Sequence, residues 1–163
     1  MGKQVNFRVG TGYDIHRLGP NRDLIMAGIK IDFELGLIGH SDADVVSHAI
    51  CDALLGAAAL GDIGEHFPDN DPKFTNFTSL KFLEYVNNLL IENNYKIANI
   101  DVTICAERPK LRNLKTLMRQ KLAETLKLDL SQISIKGKTN EGLDSVGRGE
   151  AIATSAIALI YQE

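Results

Sequence analysis

The chain has 163 residues, of which 44% are hydrophobic and 24% charged, and a net charge of −3. That composition suits a globular domain with a substantial core, and its negative balance gives nonspecific nucleic-acid binding no electrostatic support. No apolar run approaches the roughly 18 residues needed to span a bilayer.

In chain order, the N-terminus leads straight into Val5-Asn6-Phe7-Arg8-Val9, which alternates like a strand. A targeting peptide has no room there, so the expected setting is cytoplasmic. Gly10-Thr11-Gly12 follows, but Ile15 stands where a dinucleotide fingerprint needs its third glycine, and no helix signal comes next. Strand signals continue at Leu24 to Ile31, Ile97 to Ala106 and Gln132 to Lys136. Helical periodicity runs from about Asp42 to Leu60, Leu80 to Glu92 and Leu111 to Leu126. Ser41 is the expected cap of the first helix, with Asp44 at its third position. Ala151 to Tyr161 fits helix or strand, and the alternation of Ile152, Thr154, Ala156, Ala158 and Ile160 favours strand. The expected fold is α+β, a two-layer α/β sandwich over residues 1–163 as a single domain. Its mixed sheet has four to five strands with helices packed on one face. The bare face calls for a partner, which points to an oligomer. Cys51 and Cys105 form no C-x-x-C pair and read as reduced, buried thiols.

Charge is distributed unevenly. From Ile31 to Pro72 there is no Lys or Arg, yet nine carboxylates and three of the four histidines fall there. An external cation is the expected counter-charge. Arg108, Lys110, Arg112, Lys115, Arg119 and Lys121 cluster later, where the outer face of a helix explains them equally well.

Period-two geometry puts Asp14 and His16 on one side of an extended segment. On the first helix, Asp44, His48 and Asp52 recur every four residues as a polar stripe bordering the core. Asp14, His16 and His48 together make a three-ligand divalent site, and zinc with an open fourth position fits that donor set. Asp44 and Asp52 are then expected to orient His48. An ordinary partly buried histidine is the other reading of His48. Two histidines and a carboxylate also suit mononuclear iron, and a non-catalytic, metal-stabilised binding module is a third possibility. His66 receives no role.

Two loops carry polar groups. Gly61 to Pro72 is dense in turn formers and acids, suited to sugar hydroxyls or simply to solvent. Lys138-Thr139-Asn140-Glu141-Gly142 follows a strand and offers a cation, a hydroxyl and a carboxylate, groups that suit phosphate and a second metal.

Taken together, Gly12-Tyr13-Asp14-Ile15-His16, Gly39-His40-Ser41-Asp42-Ala43-Asp44-Val45 and His48 to Gly64 resemble the 2-C-methyl-D-erythritol 2,4-cyclodiphosphate synthase family. Phe67-Pro68-Asp69-Asn70-Asp71-Pro72, Pro109-Lys110 and Gly147-Arg148-Gly149-Glu150 extend the resemblance over nearly the whole chain. It implies a chorismate-mutase-like homotrimer with active sites at subunit interfaces. It also implies a metal-dependent lyase that cyclises a cytidine diphosphate substrate and releases CMP. On that resemblance zinc, manganese or cobalt sits at Asp14, His16 and His48, and Glu141 helps to hold magnesium. His40 and Thr139 are the catalytic stabilisers, and Asp14, His16 and Ser41 also contact substrate. Asp62, Ile63 and Gly64 meet hydroxyls, while Phe67 and Asp71 lie beside the methylerythritol. Ala106, Pro109, Lys110, Leu111, Lys138 and Thr139 form the cytidine pocket, with Asn140, Glu141 and Arg148 completing the substrate contacts. One departure stands out: many relatives have Leu-Gly-Phe where this chain has Leu143-Asp144-Ser145, so no contact is assigned to Ser145.

Overall fold

The computed structural model describes residues 5–68, 70–74 and 77–162. Met1 to Gln4 and Asp69 of the sequence reading lie outside them. Strand β1 (Asn6–Gly19) is far longer than its first signal and carries the Gly-Thr-Gly and Asp-Ile-His segments within it. After it come β2 (Leu24–Met26), β3 (Ile29–Ile31) and β4 (Gly36–Ile38), then helices α1 (Val45–Ala58), α2 (Ile63–His66) and α3 (Ser79–Glu92). The chain continues through β5 (Lys96–Cys105), α4 (Lys115–Leu126), β6 (Ile133–Lys138), α5 (Asp144–Gly147) and β7 (Ala151–Gln162).

The main sheet has the order β4-β1-β7-β5-β6. Only β5 and β6 run parallel; the remaining neighbours are antiparallel. The sheet is therefore mixed and five-stranded, and the C-terminal segment is its central strand. There Ile152, Thr154, Ala156, Ala158 and Ile160 are all buried, whereas Ser155 and Ile157 are exposed. Helix α1 lies on β1 and β7, α3 on α1, and α4 on β6. Their apolar faces form one core with Ile50, Leu54, Leu83, Leu90, Val102, Ile104 and Leu122 at its centre. The other sheet face exposes Phe7, Val9, Tyr13, Ile15 and Ile157. Among the described residues no helix is long and apolar enough to cross a membrane.

The Leu24–Ile31 signal is not one strand but a tight hairpin. Ala27 and Gly28 both have positive φ (51° and 71°), the pattern of a two-residue type I′ turn. Left-handed backbone costs alanine about 1–2 kcal/mol. Asp44 offsets that cost, its carboxylate accepting the Ala27 and Gly28 N–H groups at 2.9 and 2.7 Å.

The helix-start expectation also needs correcting. Helix α1 begins at Val45, and Asp44 rather than Ser41 is its cap, accepting from Val46 N and Ser47 N. Ser41 lies before the helix with φ 52°. Asp44 is fully buried with five hydrogen bonds, the last from Ser47 Oγ at 2.8 Å. Burial pushes its carboxyl above the ordinary carboxylate value, and the Ser47 and Gly28 N–H groups oppose that rise.

The approach of β1 to α1 explains Gly10 and Gly12. A Cβ at Gly10 would overlap the Ala53 carbonyl oxygen and the Ala57 amide. One at Gly12 would overlap the Ala49 carbonyl oxygen and lie 2.8 Å from Ala53 N. The two glycines let strand and helix backbones touch across an alanine ridge, a packing role with no link to nucleotide binding. Gly12→Ala should therefore destabilise the fold by about 1–3 kcal/mol, the usual cost of overpacking. Gly56→Ala, whose Cβ meets only Thr11 O at 3.9 Å, should remain within about 1 kcal/mol of the parent. Urea unfolding with matched m-values checks both.

Candidate active site

Because β1 lies directly against α1, its inward residues Asp14 and His16 face His48, one turn into the helix. Atoms of all three lie within 4.8 Å of one another, the grouping among the described residues suited to a metal ion. Asp14 Oδ2 is 3.0 Å from both His16 Nε2 and His48 Nδ1, while Oδ1 accepts the Ile15 N–H at 2.9 Å. Burial pushes Asp14 up, but the His16 and His48 imidazoles beside it outweigh that rise, holding the carboxyl well below its ordinary range. Asp14 beside His16 raises the imidazole above its ordinary value, with burial opposing.

The donor atoms fit a divalent cation. His16 Nδ1 lies 3.1 Å from the Ile38 carbonyl, which only accepts, so Nδ1 carries the proton and Nε2 keeps a lone pair. That Nε2 is buried and, though close to Asp14, out of line for a hydrogen bond. A buried polar atom without a partner, aimed at a carboxylate and a second imidazole, is what a coordination site leaves when its ion is taken away.

The cluster forms one wall of a cavity of about 370 Å³, lined also by His40, Ser41, Ile63, Gly64, Phe67, Pro68, Asp71, Phe74 and Phe82. Nine of the expected site residues thus meet in one place: Asp14, His16, His40, Ser41, His48, Ile63, Gly64, Phe67 and Asp71. Phe67 also belongs to the aromatic core, its ring 4.3 Å from that of Phe82 and 5.1 Å from that of Phe74. Asp62 is turned away, capping α2 through Glu65 N at 3.0 Å and lining a different cavity with Thr11, Tyr13 and Asp52.

Ala106, Pro109, Lys110, Leu111, Lys138 and Thr139 line a separate cavity of about 350 Å³ with Arg112, Lys115 and Gly137. The two cavities share no lining residue. Asn140, Glu141 and Arg148 line neither. Asn140 N donates to Glu107 and its amide to Asp144, Thr139 Oγ1 donates to Glu141 at 3.3 Å, and Arg148 pairs with Glu150 at 2.9 Å. Asp144 adopts φ 58°, and its carboxylate accepts Val146 N and Gly147 N. An aspartate tolerates left-handed backbone better than most residues, so Asp144 can hold this conformation. Within the basic cluster, Arg119 is structural, donating to the Ile133 and Leu130 carbonyls.

Three expectations fail here. Asp44 does not orient His48, being committed to the hairpin and the helix start. Asp52 accepts Ile63 N at 2.8 Å instead. The acid-rich stretch does not depend on a cation throughout, because Asp42, Asp44, Asp52, Asp62 and Asp71 each accept backbone N–H groups. His66, given no role, is held by the Leu60 carbonyl at 2.7 Å.

Gly39, which opens one of the family motifs but received no role of its own, is a wall of the His16 pocket. A Cβ there would lie 2.7 Å from His16 Cε1 and Nδ1. Gly39→Ala should displace the imidazole and weaken divalent-cation binding by roughly 10-fold or more, as loss of ligand orientation does. Chelator competition on the refolded variant measures this, with circular dichroism to show the fold kept.

The sequence profile of the YgbB family matches residues 7–161. The 2-C-methyl-D-erythritol 2,4-cyclodiphosphate synthase of Clostridium perfringens is 57% identical over 155 residues, 95% of this chain and 99% of that protein. A Plasmodium falciparum structure described as an IspF CDP complex superposes with a TM-score of 0.85 at 36% identity, covering 96% of this chain and 97% of that one. The bifunctional IspDF of Campylobacter jejuni superposes with a TM-score of 0.94 at 39% identity. The match covers 98% of this chain but only 43% of that longer one. An α+β sheet also differs from the all-β scaffold usual for iron oxygenases. Similarity of this degree, end to end, leads to one conclusion: the chain belongs to the YgbB family, together with the 2-C-methyl-D-erythritol 2,4-cyclodiphosphate synthases.

Proposed function

We infer that the chain converts 4-diphosphocytidyl-2-C-methyl-D-erythritol 2-phosphate to the cyclic 2,4-diphosphate with release of CMP. The reaction belongs to non-mevalonate isoprenoid biosynthesis, and the chain acts in it as a phosphorus–oxygen lyase. The Asp14, His16 and His48 cluster, opening into a cavity walled by His40 and Ser41, carries this reading. An oxygen of the 2-phosphate attacks the β-phosphorus, and the bond from that phosphorus to the bridging oxygen breaks, so CMP leaves with the oxygen. When bound, zinc (or manganese or cobalt) at the cluster and magnesium near Glu141 polarise phosphate oxygens and neutralise the diphosphate.

Phosphoryl transfer needs positioning and charge stabilisation rather than a protein nucleophile. His40 and Thr139 supply donors to the transferring phosphoryl group, and Ser41 adds a hydroxyl. Asp62, Ile63, Gly64, Phe67 and Asp71 hold the sugar alcohol. Ala106, Pro109, Lys110, Leu111 and Lys138 receive the cytidine, and Asn140, Glu141 and Arg148 approach the phosphates. Two unpaired cysteines, Cys51 and Cys105, fit a cytoplasmic setting.

Two cavities that share no residue support a site completed between neighbours in a cyclic homotrimer, and the apolar bare sheet face offers the contact area. With the synthetic substrate, CMP and the cyclic product should appear in equal amounts by phosphorus NMR. Accumulated cytidine diphosphate or a linear phosphorylated sugar would make the protein a hydrolase instead. His48→Ala should lose zinc and turnover together while keeping its circular dichroism.

The shared site has its own test. His48→Ala is dead in the metal half, and Lys110→Ala/Thr139→Ala in the pocket half. Unfolded and reassembled in equal amounts, about three-quarters of trimers are mixed, each with one intact interface. Closed-ring counting then returns about a quarter of all sites. A re-mixed sample as inactive as its parents, with mixed trimers confirmed by native mass spectrometry, rejects the shared site.

A further inference from the structure

A polar chain of contacts runs behind His48, away from the ligand cluster. Ser79, the first residue of α3, is fully buried, and its Oγ lies 2.9 Å from His48 Nε2. The same hydroxyl donates to Asp42 Oδ1, and Asp42 Oδ2 accepts the Ser79 N–H at 3.1 Å. Thr78, the residue at the cap position of α3, makes no side-chain capping bond. Asp42, from the loop before α1, performs that task from 37 residues away and ties the starts of the two helices together.

Proton counting along this chain places a hydrogen on His48 Nε2. A carboxylate only accepts, and a serine hydroxyl has one hydrogen. With that hydrogen directed at Asp42, Ser79 Oγ is left to accept from His48, so His48 carries its proton on Nε2. Nδ1, 3.0 Å from Asp14 Oδ2, then faces the cluster and is the nitrogen left for a metal. His16 is arranged the opposite way, its Nδ1–H given to the Ile38 carbonyl and Nε2 facing the cluster. The two imidazoles therefore approach one point through different nitrogens, each fixed by a partner on its far side.

We propose that Ser79, oriented by Asp42, is the positioning residue that holds His48 as the Nε2–H tautomer and presents Nδ1 to the metal. The sequence pattern pointed to Asp44 and Asp52 for this task, and both are committed elsewhere. Without the Ser79 oxygen, the part-buried Nε2–H loses its acceptor, the other tautomer becomes competitive and the ring is free to turn.

The proposal rests on reading Asp14, His16 and His48 as metal ligands, so its readouts are chosen to fail separately from that reading. Nitrogen-15 NMR of the metal-free protein reports the His48 tautomer directly, and chelator competition reports zinc affinity. The wild type should show His48 protonated on Nε2. Ser79→Ala should show a tautomer mixture and a zinc Kd raised roughly 10- to 100-fold, the usual effect of losing a ligand's outer partner. Ser79→Thr, which keeps the hydroxyl, should restore both. A helix-capping role alone would lower the melting temperature of Ser79→Ala and leave tautomer and Kd unchanged, which overturns the proposal. An Nδ1–H His48 in the wild type overturns it without any variant, even where Ser79→Ala does not fold. A wild type that binds no zinc sinks the metal reading, while the tautomer readout still decides the role of Ser79.

Discussion

The contact on which the rest of the molecule depends is the backbone approach of β1 to α1. Gly10 and Gly12 present no side chain, and Ala49, Ala53 and Ala57 present almost none, so strand and helix meet nearly carbonyl to Cα. Every larger residue at those strand positions would push the helix outward. The separation between Asp14 or His16 on the strand and His48 on the helix would grow with it, and a three-ligand cluster tolerates little such movement. Packing at residues without chemistry thereby sets the geometry of residues that carry it.

A second layer of organisation lies at the start of α1. The loop from Gly39 to Asp44 supplies carboxylates that act chiefly as acceptors for backbone N–H groups distant in sequence. Asp44 holds the β2–β3 turn and the first turn of α1. Asp42 holds the first residue of α3. Two such acids within three residues lock a hairpin and two helices around one point, and His48 stands one turn above it. In the stretch from Ile31 to Pro72, which lacks basic residues, Asp42, Asp44, Asp52, Asp62 and Asp71 find backbone N–H donors instead. Asp14, which gains two imidazoles and only one backbone N–H, is the carboxylate whose surroundings still favour a cation.

The two cavities differ in chemical character. One gathers oxygen and nitrogen ligands with aromatic walls, and the other gathers Lys110, Arg112, Lys115 and Lys138 around an apolar floor. The sheet face that leaves Phe7, Val9, Tyr13 and Ile15 in solvent is an exposed apolar patch of the kind that marks a contact surface.

Much of this was written in the sequence, wherever the signal was local. Alternation in Ala151 to Tyr161 marked a strand, helical spacing marked three helices to within a few residues, and Asp14, His16 and His48 were visible as a ligand set from periodicity and residue type. Order and spacing of the motifs marked the family. Signals that depend on the rest of the fold were not legible. The Leu24–Ile31 run read as one strand because its turn uses Ala27, a residue without turn preference, held by Asp44 from 17 positions away. Asp44 and Asp52 share the helical spacing of His48 but spend their oxygens elsewhere. The true partner, Ser79, lies 31 residues from the histidine it touches, on another helix. Periodicity reports which residues share a face of one element, since that follows from bond geometry alone. Which buried donor meets which acceptor is decided only when separate elements pack, because each buried polar group must then take a partner from what the other elements bring within reach.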